Sequence, residues 1–333
     1  MIESGEAGHG ASWAAAGMLA PLTEQLVEPT FRKLCEDALA MYPEFVAHVR
    51  EAGGVDPQLH LNGIATIAFD DAQMERLLLR SHVLQERGHA YTLLDPMQTL
   101  AMEPVLDKHV RGALLVHGEG QVNNRRLGPA LLAACERSGV TISTAAHDVA
   151  LVVNGRRAIG VRTETGLVTA KIVINAMGAW ASQLPGVPSD CVPPVRPICG
   201  QMLALTLPHQ LVQHTMWVPG AYLVPKDDGQ LLIGATSEDV GFQTRVTAQG
   251  VHALLHGALA AAPKLGEFTI SETWAGLRPA TPDELPLIGR TALDGYLLAV
   301  GHYRNGILLA PITAQMIADL VTKAEGAAPL EWK

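Results

Sequence analysis

The sequence is poor in positive charge and lacks any long apolar run. It has 24 Lys and Arg against 33 Asp and Glu, which gives a formal net charge of −9. Because no basic cluster is present to neutralise phosphates, this balance argues against a nucleic-acid partner. No apolar run approaches the roughly 18 residues of a membrane span, and no leader pattern opens the chain. We therefore predict no stable membrane insertion.

Cysteine is equally scarce, and no metal motif is assigned. The four cysteines show neither C-x-x-C spacing nor the density of a disulfide scaffold, and they are Cys35, Cys135, Cys191 and Cys199. This pattern favours a reducing compartment, and we predict a cytoplasmic protein. We assign none of the 13 histidines to a metal-binding motif, so no metal site is predicted. The G-x-S-x-G elbow typical of many hydrolases is missing as well.

What remains is a folded chain with a large core, since 48% of its 333 residues are hydrophobic and only 17% are charged. Hydrophobic periodicity predicts helices over 28–49, 70–87, 125–138 and 247–261. The predicted strands are 63–69, 113–117, 139–145, 149–154, 158–163, 167–174, 202–207, 221–225, 230–234 and 268–275. The proline-rich stretch 185–197 indicates a crossing between domains. We predict a mixed α/β protein of two interleaved domains, each built from discontinuous segments.

A glycine-bracketed loop follows a short apolar run near the end of the chain. The run Tyr296 to Val300 precedes Gly301, and the segment that reaches Pro311 leads into a predicted helix. Backbone N–H groups at such a helix N-terminus favour an anionic or electron-rich group. A plain connecting turn with an incidental arginine is the alternative.

The first residues have the pattern of a strand that ends in an acid. In a dinucleotide-binding βαβ unit, an acid at the end of the second strand binds ribose, about 20 residues after a G-x-G-x-x-G turn. Glu3 fits that acid, so we expect the turn to lie upstream of Met1. Small residues from Ala11 to Gly17 suit a backbone that passes close to a bulky ligand. The start of a small-residue helix would explain them equally.

Two other segments end in residues suited to ligand contact. The run Ile172 to Ile174 predicts a buried central strand that ends near Gly178 at a ligand. Arg278 is held extended by the following proline and could grip a carboxylate through two hydrogen bonds, with Tyr222 as a phenol donor. A surface salt bridge for Arg278, half-buried packing for Tyr222 and an ordinary turn at Gly178 are the alternatives.

Together these motifs resemble the D-amino-acid oxidase family of FAD-dependent oxidoreductases, and within it the glycine oxidases of the thiamine-biosynthesis type. The resemblance covers nearly the whole chain in order. The residues that carry it are 11–21, 122–127, 174–180, 274–283, 286–289 and 301–311.

The resemblance implies an FAD-binding Rossmann-like domain, lacking its first βα unit, interleaved with an antiparallel-sheet substrate domain. The FAD-binding domain would comprise 1–40, 118–190 and 280–333. The substrate-binding domain would comprise 41–117 and 191–279.

The resemblance also implies roles for individual residues. Arg278 and Tyr222 would bind the substrate carboxylate, and Arg304 would line the pocket and offer its carbonyl to the amine. The implied FAD contacts are Glu3, Ser12, Ala15, Ala16, Gly17, Met18, Val149, Gly178, Asn305, Gly306, Ile307 and Leu308. Gly220 departs from relatives that carry a polar side chain there, which bears on the polarity of the pocket.

The implied activity is FAD-dependent oxidative deamination of glycine or another small amine acid, such as sarcosine or a small D-amino acid. Hydride transfer to the flavin would lead to a keto acid, ammonia and, with oxygen as acceptor, hydrogen peroxide, for thiamine biosynthesis. We expect a homo-oligomer. A dehydrogenase with another electron acceptor is one alternative, and an inactive remnant that serves as an interaction partner is another.

Overall fold

The computed structural model describes residues 1–24, 28–208 and 211–322. Its helices are mostly those that the periodicity predicts. In this part of the chain the α-helices are α1 (Ala11–Ala14), α2 (Pro29–Gly53), α3 (Asp71–Glu86), α4 (Pro96–Met102), α5 (Asn124–Arg137), α6 (Ala248–Ala261) and α7 (Gly306–Thr322). None of the described helices is both long enough and apolar enough to cross a membrane.

The strands occur in two long groups separated by helices. Those of the first half are β1 (Met18–Leu19), β2 (Ile64–Ala68), β3 (Tyr91–Leu94), β4 (Gly112–Val116), β5 (Gly120–Gln121), β6 (Ala150–Asn154), β7 (Arg157–Thr163) and β8 (Gly166–Thr169). Those of the second half are β9 (Val173–Asn175), β10 (Arg196–Thr206), β11 (Thr215–Val218), β12 (Ala221–Pro225), β13 (Gln230–Gly234), β14 (Thr269–Ala280), β15 (Leu287–Arg290) and β16 (Tyr296–Val300).

An eight-stranded sheet takes strands from two distant parts of the chain. Its order is β14-β10-β13-β12-β11-β2-β4-β3, and every neighbouring pair is antiparallel except β11 with β2. Helix α6 covers one face, and its buried Leu254 and Ala258 join Leu203, Leu223 and Ile233 in the largest core cluster. A single sheet thus joins the region around β2 to the region from β10 to β14.

Three smaller sheets lie beside it. They are β1-β5, β6-β7-β8 and β15-β16-β9, and in the last of these β9 runs parallel to β16. Ile2 forms a parallel bridge with Ser143. The mixture of parallel and antiparallel strands with packed helices confirms the predicted α/β fold class, while the predicted domain bounds stay a prediction.

Helix α2 joins these layers and has a complete set of end signals. The Glu28 side chain accepts hydrogen bonds from the N–H groups of Thr30 and Phe31, and Pro29 occupies the first helical position. Gly54 ends the helix in the left-handed conformation, with φ 74°. The buried face of α2 packs against α5 and α7, so the segment before the last helix is tied to the centre of the molecule.

Several strand predictions are wrong in detail. The stretch 139–145 forms no strand and contributes only the bridge at Ser143. The predicted strand 167–174 is two strands, because β8 pairs with β7 whereas β9 pairs with β16. Within the described residues β9 is an edge strand, and Ile174 is 43% exposed, so the predicted buried central strand is not observed.

Candidate active site

The arginine predicted to grip a carboxylate lies inside a long strand. Arg278 belongs to β14 and pairs with Ile198 of β10. Its Nη1 donates to the carbonyl oxygen of Thr236 at 3.1 Å. A Cβ atom at Gly200 would lie 2.5 Å from Arg278 Cζ. Since this is well inside van der Waals contact, the absent side chain at Gly200 is what leaves room for the guanidinium.

The predicted phenol donor is beside this guanidinium. Tyr222 of β12 pairs with Gly234 of β13, and a Cβ atom at Gly234 would come within 2.5 Å of the Tyr222 hydroxyl. Burial raises the pKa of Tyr222, and the charge and hydrogen bond of Arg278 oppose that rise. The hydroxyl therefore remains protonated at neutral pH and can donate a hydrogen bond.

The glycine loop joins the arginine strand to the last helix. Gly301 has φ 78° and Tyr303 has φ 48°, both in the left-handed region, which turns the chain sharply after β16. The Tyr303 N–H donates to the carbonyl oxygen of Pro279 at 2.9 Å. The loop is thereby fixed to the residue that follows Arg278.

Helix α7 presents its first N–H groups at the end of this loop. Its first i to i−4 bond runs from the Leu309 N–H to the Asn305 carbonyl oxygen at 2.8 Å. The N–H groups of Gly306, Ile307 and Leu308 precede that bond and are free for an electron-rich ligand. The Tyr42 hydroxyl on α2 donates to the Ile307 carbonyl oxygen and holds this turn in place.

Arg304 completes a group of charges that includes one residue overlooked in the sequence. Its guanidinium lies 5.1 Å from the centroid of the Tyr303 ring. Burial raises the pKa of Glu24, while Arg304 and Arg278 oppose that rise. Glu24 and Arg304 also act on the pKa of Tyr222. The structure thus brings Arg278, Tyr222 and Arg304 together, with the Glu24 carboxyl beside them.

The small-residue segment before Glu24 approaches its neighbours too closely for larger side chains. Gly17 has φ 78°, and a Cβ atom there would overlap the Val122 carbonyl oxygen. Asn124 Nδ2 donates to the carbonyl oxygens of Ser12 at 2.8 Å and Trp13 at 3.0 Å. The buried Asn124 Oδ1 has no hydrogen-bond partner among the described residues, which leaves one acceptor available.

A buried lysine missed by the sequence interpretation supports the same segment. Lys226 Nζ donates to the carbonyl oxygen of Ala16 at 2.8 Å, to Gln121 Oε1 at 2.5 Å and to the carbonyl oxygen of Val122 at 3.3 Å. Burial lowers the pKa of Lys226 to about 7. Its position after β12 gives no local signal, because its partners are distant in sequence.

The other predicted cofactor residues lie on the smaller sheets and near them. Glu3 follows the bridge at Ile2 and accepts a hydrogen bond from the Gly5 N–H at 3.0 Å. Val149 packs against the cluster that includes Tyr296. Gly178 begins a short 3-10 helix after β9, with φ 54°. These three residues are not part of the Arg278 and Tyr222 group, and their roles stay predictions.

One histidine pair was overlooked. His252 and His256 are four residues apart on α6, are exposed and stack with ring centroids 6.1 Å apart. The described residues contain no group of three or more His, Cys, Asp or Glu side chains arranged for a metal ion. All four cysteines are free.

The cradle suits a flavin. It combines free N–H groups at the start of α7, an unpartnered acceptor on Asn124 and a backbone at Gly17 that no side chain crowds. Of the predicted FAD contacts, these elements carry Ser12, Ala15, Ala16, Gly17, Met18, Asn305, Gly306, Ile307 and Leu308, which are the residues that would hold the flavin. The carboxylate-binding group of Arg278 and Tyr222 is joined to this cradle through Tyr303 and Pro279.

Comparison with known proteins agrees with this geometry. The chain is 34% identical to the glycine oxidase of Geobacillus kaustophilus, and the match covers 98% of the chain and 87% of that protein. It is 35% identical to the bifunctional protein ThiO/ThiG of Trichormus variabilis over 94% of the chain, but spans only 47% of that protein's length. The chain thus covers about half the length of the first curated relatives that it matches.

Solved structures give the same result. The crystal structure of the Geobacillus kaustophilus glycine oxidase matches with a TM-score of 0.91 at 34% identity, over 98% of this chain and 88% of that one. Iminodiacetate oxidase from Chelativorans sp. BNC1 matches with a TM-score of 0.86 at 26% identity, over 99% of this chain and 90% of that one. The family described as "DAO: FAD dependent oxidoreductase" matches residues 1–320. With a flavin cradle, a carboxylate-binding group and this match in place, the chain belongs to the DAO family of FAD-dependent oxidoreductases and is an amine oxidoreductase of the glycine oxidase type.

Proposed function

We propose that this chain oxidises glycine or another small amine acid, such as sarcosine or a small D-amino acid. With glycine the products would be glyoxylate, ammonia and hydrogen peroxide, formed from glycine, oxygen and water. The observation that carries the proposal is the convergence of Arg278, Tyr222 and Arg304 beside the first turn of α7. The named similarity to glycine oxidases supports the choice of substrate.

The residues of this chain bind and orient the substrate. Arg278 is preorganised in β14 to hold the carboxylate through two parallel hydrogen bonds, and Tyr222 adds a donor from the next side of the pocket. The Arg304 carbonyl oxygen is available to accept a hydrogen bond from the amine. When bound, FAD supplies the two-electron acceptor for the substrate.

Orientation is the main contribution of the protein. Fixing both ends of a small amino acid holds its α-carbon in one place relative to the cradle. Because Tyr303 is bonded to Pro279, the carboxylate grip and the loop that seats the cofactor keep a constant separation. The first N–H groups of α7 favour negative charge that develops at their end of the cradle.

The proposal is tested with purified protein supplied with FAD. We expect flavin absorbance to follow the protein and peroxide to appear with glycine, sarcosine or a small D-amino acid. Arg278→Ala should raise KM strongly and leave FAD binding intact, whereas Arg245→Ala on the surface should change neither. Reduction of an artificial dye without peroxide would identify a dehydrogenase instead, and no oxidation of any of these substrates would refute the proposal.

The wider context is proposed on the same basis. We infer that the product serves thiamine biosynthesis, as in the type of glycine oxidase that the sequence resembles. A cytoplasmic location and a homo-oligomeric state stay predictions, and the four free cysteines support the first of these.

A further inference from the structure

A buried carboxylate lies directly behind the candidate substrate pocket. Glu119 is 0% exposed and precedes β5, which pairs with β1. Its Oε1 accepts hydrogen bonds from the N–H groups of Leu22 at 2.5 Å and Thr23 at 2.9 Å. Its Oε2 accepts a hydrogen bond from the Thr23 hydroxyl. One side chain therefore satisfies three donors of a segment that contains no regular structure.

An arginine secures the same segment from the other side. Arg80 on α3 donates from Nη2 to the Leu22 carbonyl oxygen at 3.0 Å and from Nη1 to Thr66 Oγ1 at 3.2 Å. Its charge acts on Glu119 and favours the ionised form. The Glu119 and Arg80 pair thus holds both the N–H and the C=O of Leu22, so the backbone of this residue is fixed in position and direction.

The next residue after this anchored pair is Glu24. Its N–H donates to the Ala20 carbonyl oxygen at 2.9 Å, which closes a turn on the anchored residues. Its carboxyl interacts with Arg304 and Arg278. The anchor therefore lies on one side of the segment, and the charged group of the pocket lies on the other.

The charges of the pocket match a zwitterion. Arg278 and Arg304 provide two positive charges, and a substrate amino acid provides one carboxylate and one ammonium group. Ionised Glu24 would supply the counter-charge for the ammonium group, whereas a second substrate carboxylate would meet it as a like charge.

We infer that Glu119 is a positioning residue, which with Arg80 holds residues 22–24 so that Glu24 faces the ammonium group of a substrate bound at Arg278. This inference rests on the proposed function for its substrate and on the bonded network for its geometry. Glu24 then selects amino acids with a single carboxylate over dicarboxylic amines. Glu119 touches neither the substrate nor the cofactor and acts through Glu24.

The first test measures the segment itself. In Glu119→Gln the amide group would place a donor against one of the Leu22 and Thr23 donors. Hydrogen exchange at the Leu22 and Thr23 amides should therefore accelerate by about tenfold or more, as expected for the loss of a bond to a charged acceptor. Exchange at the wild-type rate would overturn the inference. If Glu119→Gln does not fold, Thr23→Val removes one donor at nearly constant volume and should accelerate exchange in the same direction.

The second test measures the pocket. Glu119→Gln and Glu24→Gln should each raise KM for glycine about tenfold and change kcat by no more than about twofold. If Glu119 acts through Glu24, the double variant should match Glu24→Gln alone, because the two effects share one contact. Additive effects would overturn the inference. Glu24→Gln should also raise the ratio of iminodiacetate to glycine oxidation, and an unchanged ratio would remove the selectivity.

Glu103 provides a matched control. It is also 0% exposed and accepts bonds from the His214 N–H at 2.7 Å, the Gln213 N–H at 3.1 Å and His214 Nδ1 at 2.8 Å. Glu103→Gln should lower stability while leaving KM unchanged, and an equal rise in KM would show that both carboxylates are merely structural. If the wild type oxidises no amino acid, the proposed function fails, and the exchange test still decides whether Glu119 anchors the segment.

Discussion

Gly200→Ala offers a selective test of the carboxylate-binding arginine, because it changes the space for that side chain and leaves the arginine itself in place. The added Cβ would lie 2.5 Å from Arg278 Cζ, whereas carbon atoms in contact are about 3.5–4.0 Å apart. The guanidinium must therefore move by about 1 Å or more. Alanine is compatible with the strand conformation at this position of β10, where φ is not in the left-handed region.

The expected magnitude follows from the hydrogen bonds that such a shift disrupts. A hydrogen bond to a charged group contributes about 1.5–3 kcal/mol, and each 1.4 kcal/mol corresponds to about a factor of ten. We therefore expect kcat/KM for glycine to fall about tenfold to a hundredfold. The displaced group is the end of a flexible side chain, so the free energy of unfolding should change by less than about 1 kcal/mol.

Steady-state peroxide production gives kcat/KM, and urea denaturation gives stability. Gly128→Ala is the control, since a Cβ atom there meets nothing within 4 Å. This control should keep wild-type kcinetic behaviour and gain a little stability from the higher helix propensity of alanine. A Gly200→Ala protein with wild-type kcat/KM would refute the assignment of Arg278 as the carboxylate ligand.

Three further outcomes follow from the buried groups. Burial raises the pKa of Glu119 from 4.5 to about 7, so the free energy of unfolding should fall by about 3 kcal/mol as pH rises from about 4.5 to 7, and Glu119→Gln should abolish this slope in denaturation at several pH values. Lys226→Met removes the donor to Ala16 and should weaken FAD binding about tenfold in equilibrium dialysis, and unchanged binding would contradict its supporting role. Tyr42→Phe removes the bond to the Ile307 carbonyl oxygen and should cost about 1 kcal/mol in urea denaturation; a neutral result would mean that water replaces the hydroxyl.

Local sequence signals were sufficient for the helices and the glycine loop. Helix α2 has an apolar face at helical spacing, a side-chain cap at Glu28 and a terminating glycine, so its bounds follow from the chain alone. The loop at Gly301 combines a left-handed glycine with a preceding strand, and both features are local. The family resemblance then provided the roles that no local pattern could.

Strand partners were not predictable in the same way. The stretch 167–174 is rich in β-branched residues throughout, but propensity does not show that its two halves belong to different sheets. Arg278 was expected at the end of a strand because of Pro279, yet β14 continues to Ala280. The proline is tolerated because β14 is an edge strand of its sheet.

The buried charges were the largest omission. Lys226 reaches Ala16 across 210 residues of sequence, and Glu119 reaches Thr23 across 96. No composition or spacing signals a contact of this kind, since each side chain has a polar sequence neighbourhood typical of a turn. Only the folded chain shows that both side chains converge on the segment between Ala16 and Glu24.

Strand β14 also bears on which changes in length the family can accept. It pairs with β10 from Thr269 to Ala280, and it carries Arg278 two residues before the end that is bonded to the glycine loop. A single inserted or deleted residue upstream of Arg278 would turn its side chain to the opposite face of the sheet. The turn at Lys226 to Gly229 lies outside any such register and connects two strands at the surface. Natural length variation should therefore be absent from β14 and concentrated in turns, which makes the spacing between Thr269 and Gly301 a better criterion than overall identity for recognising active relatives.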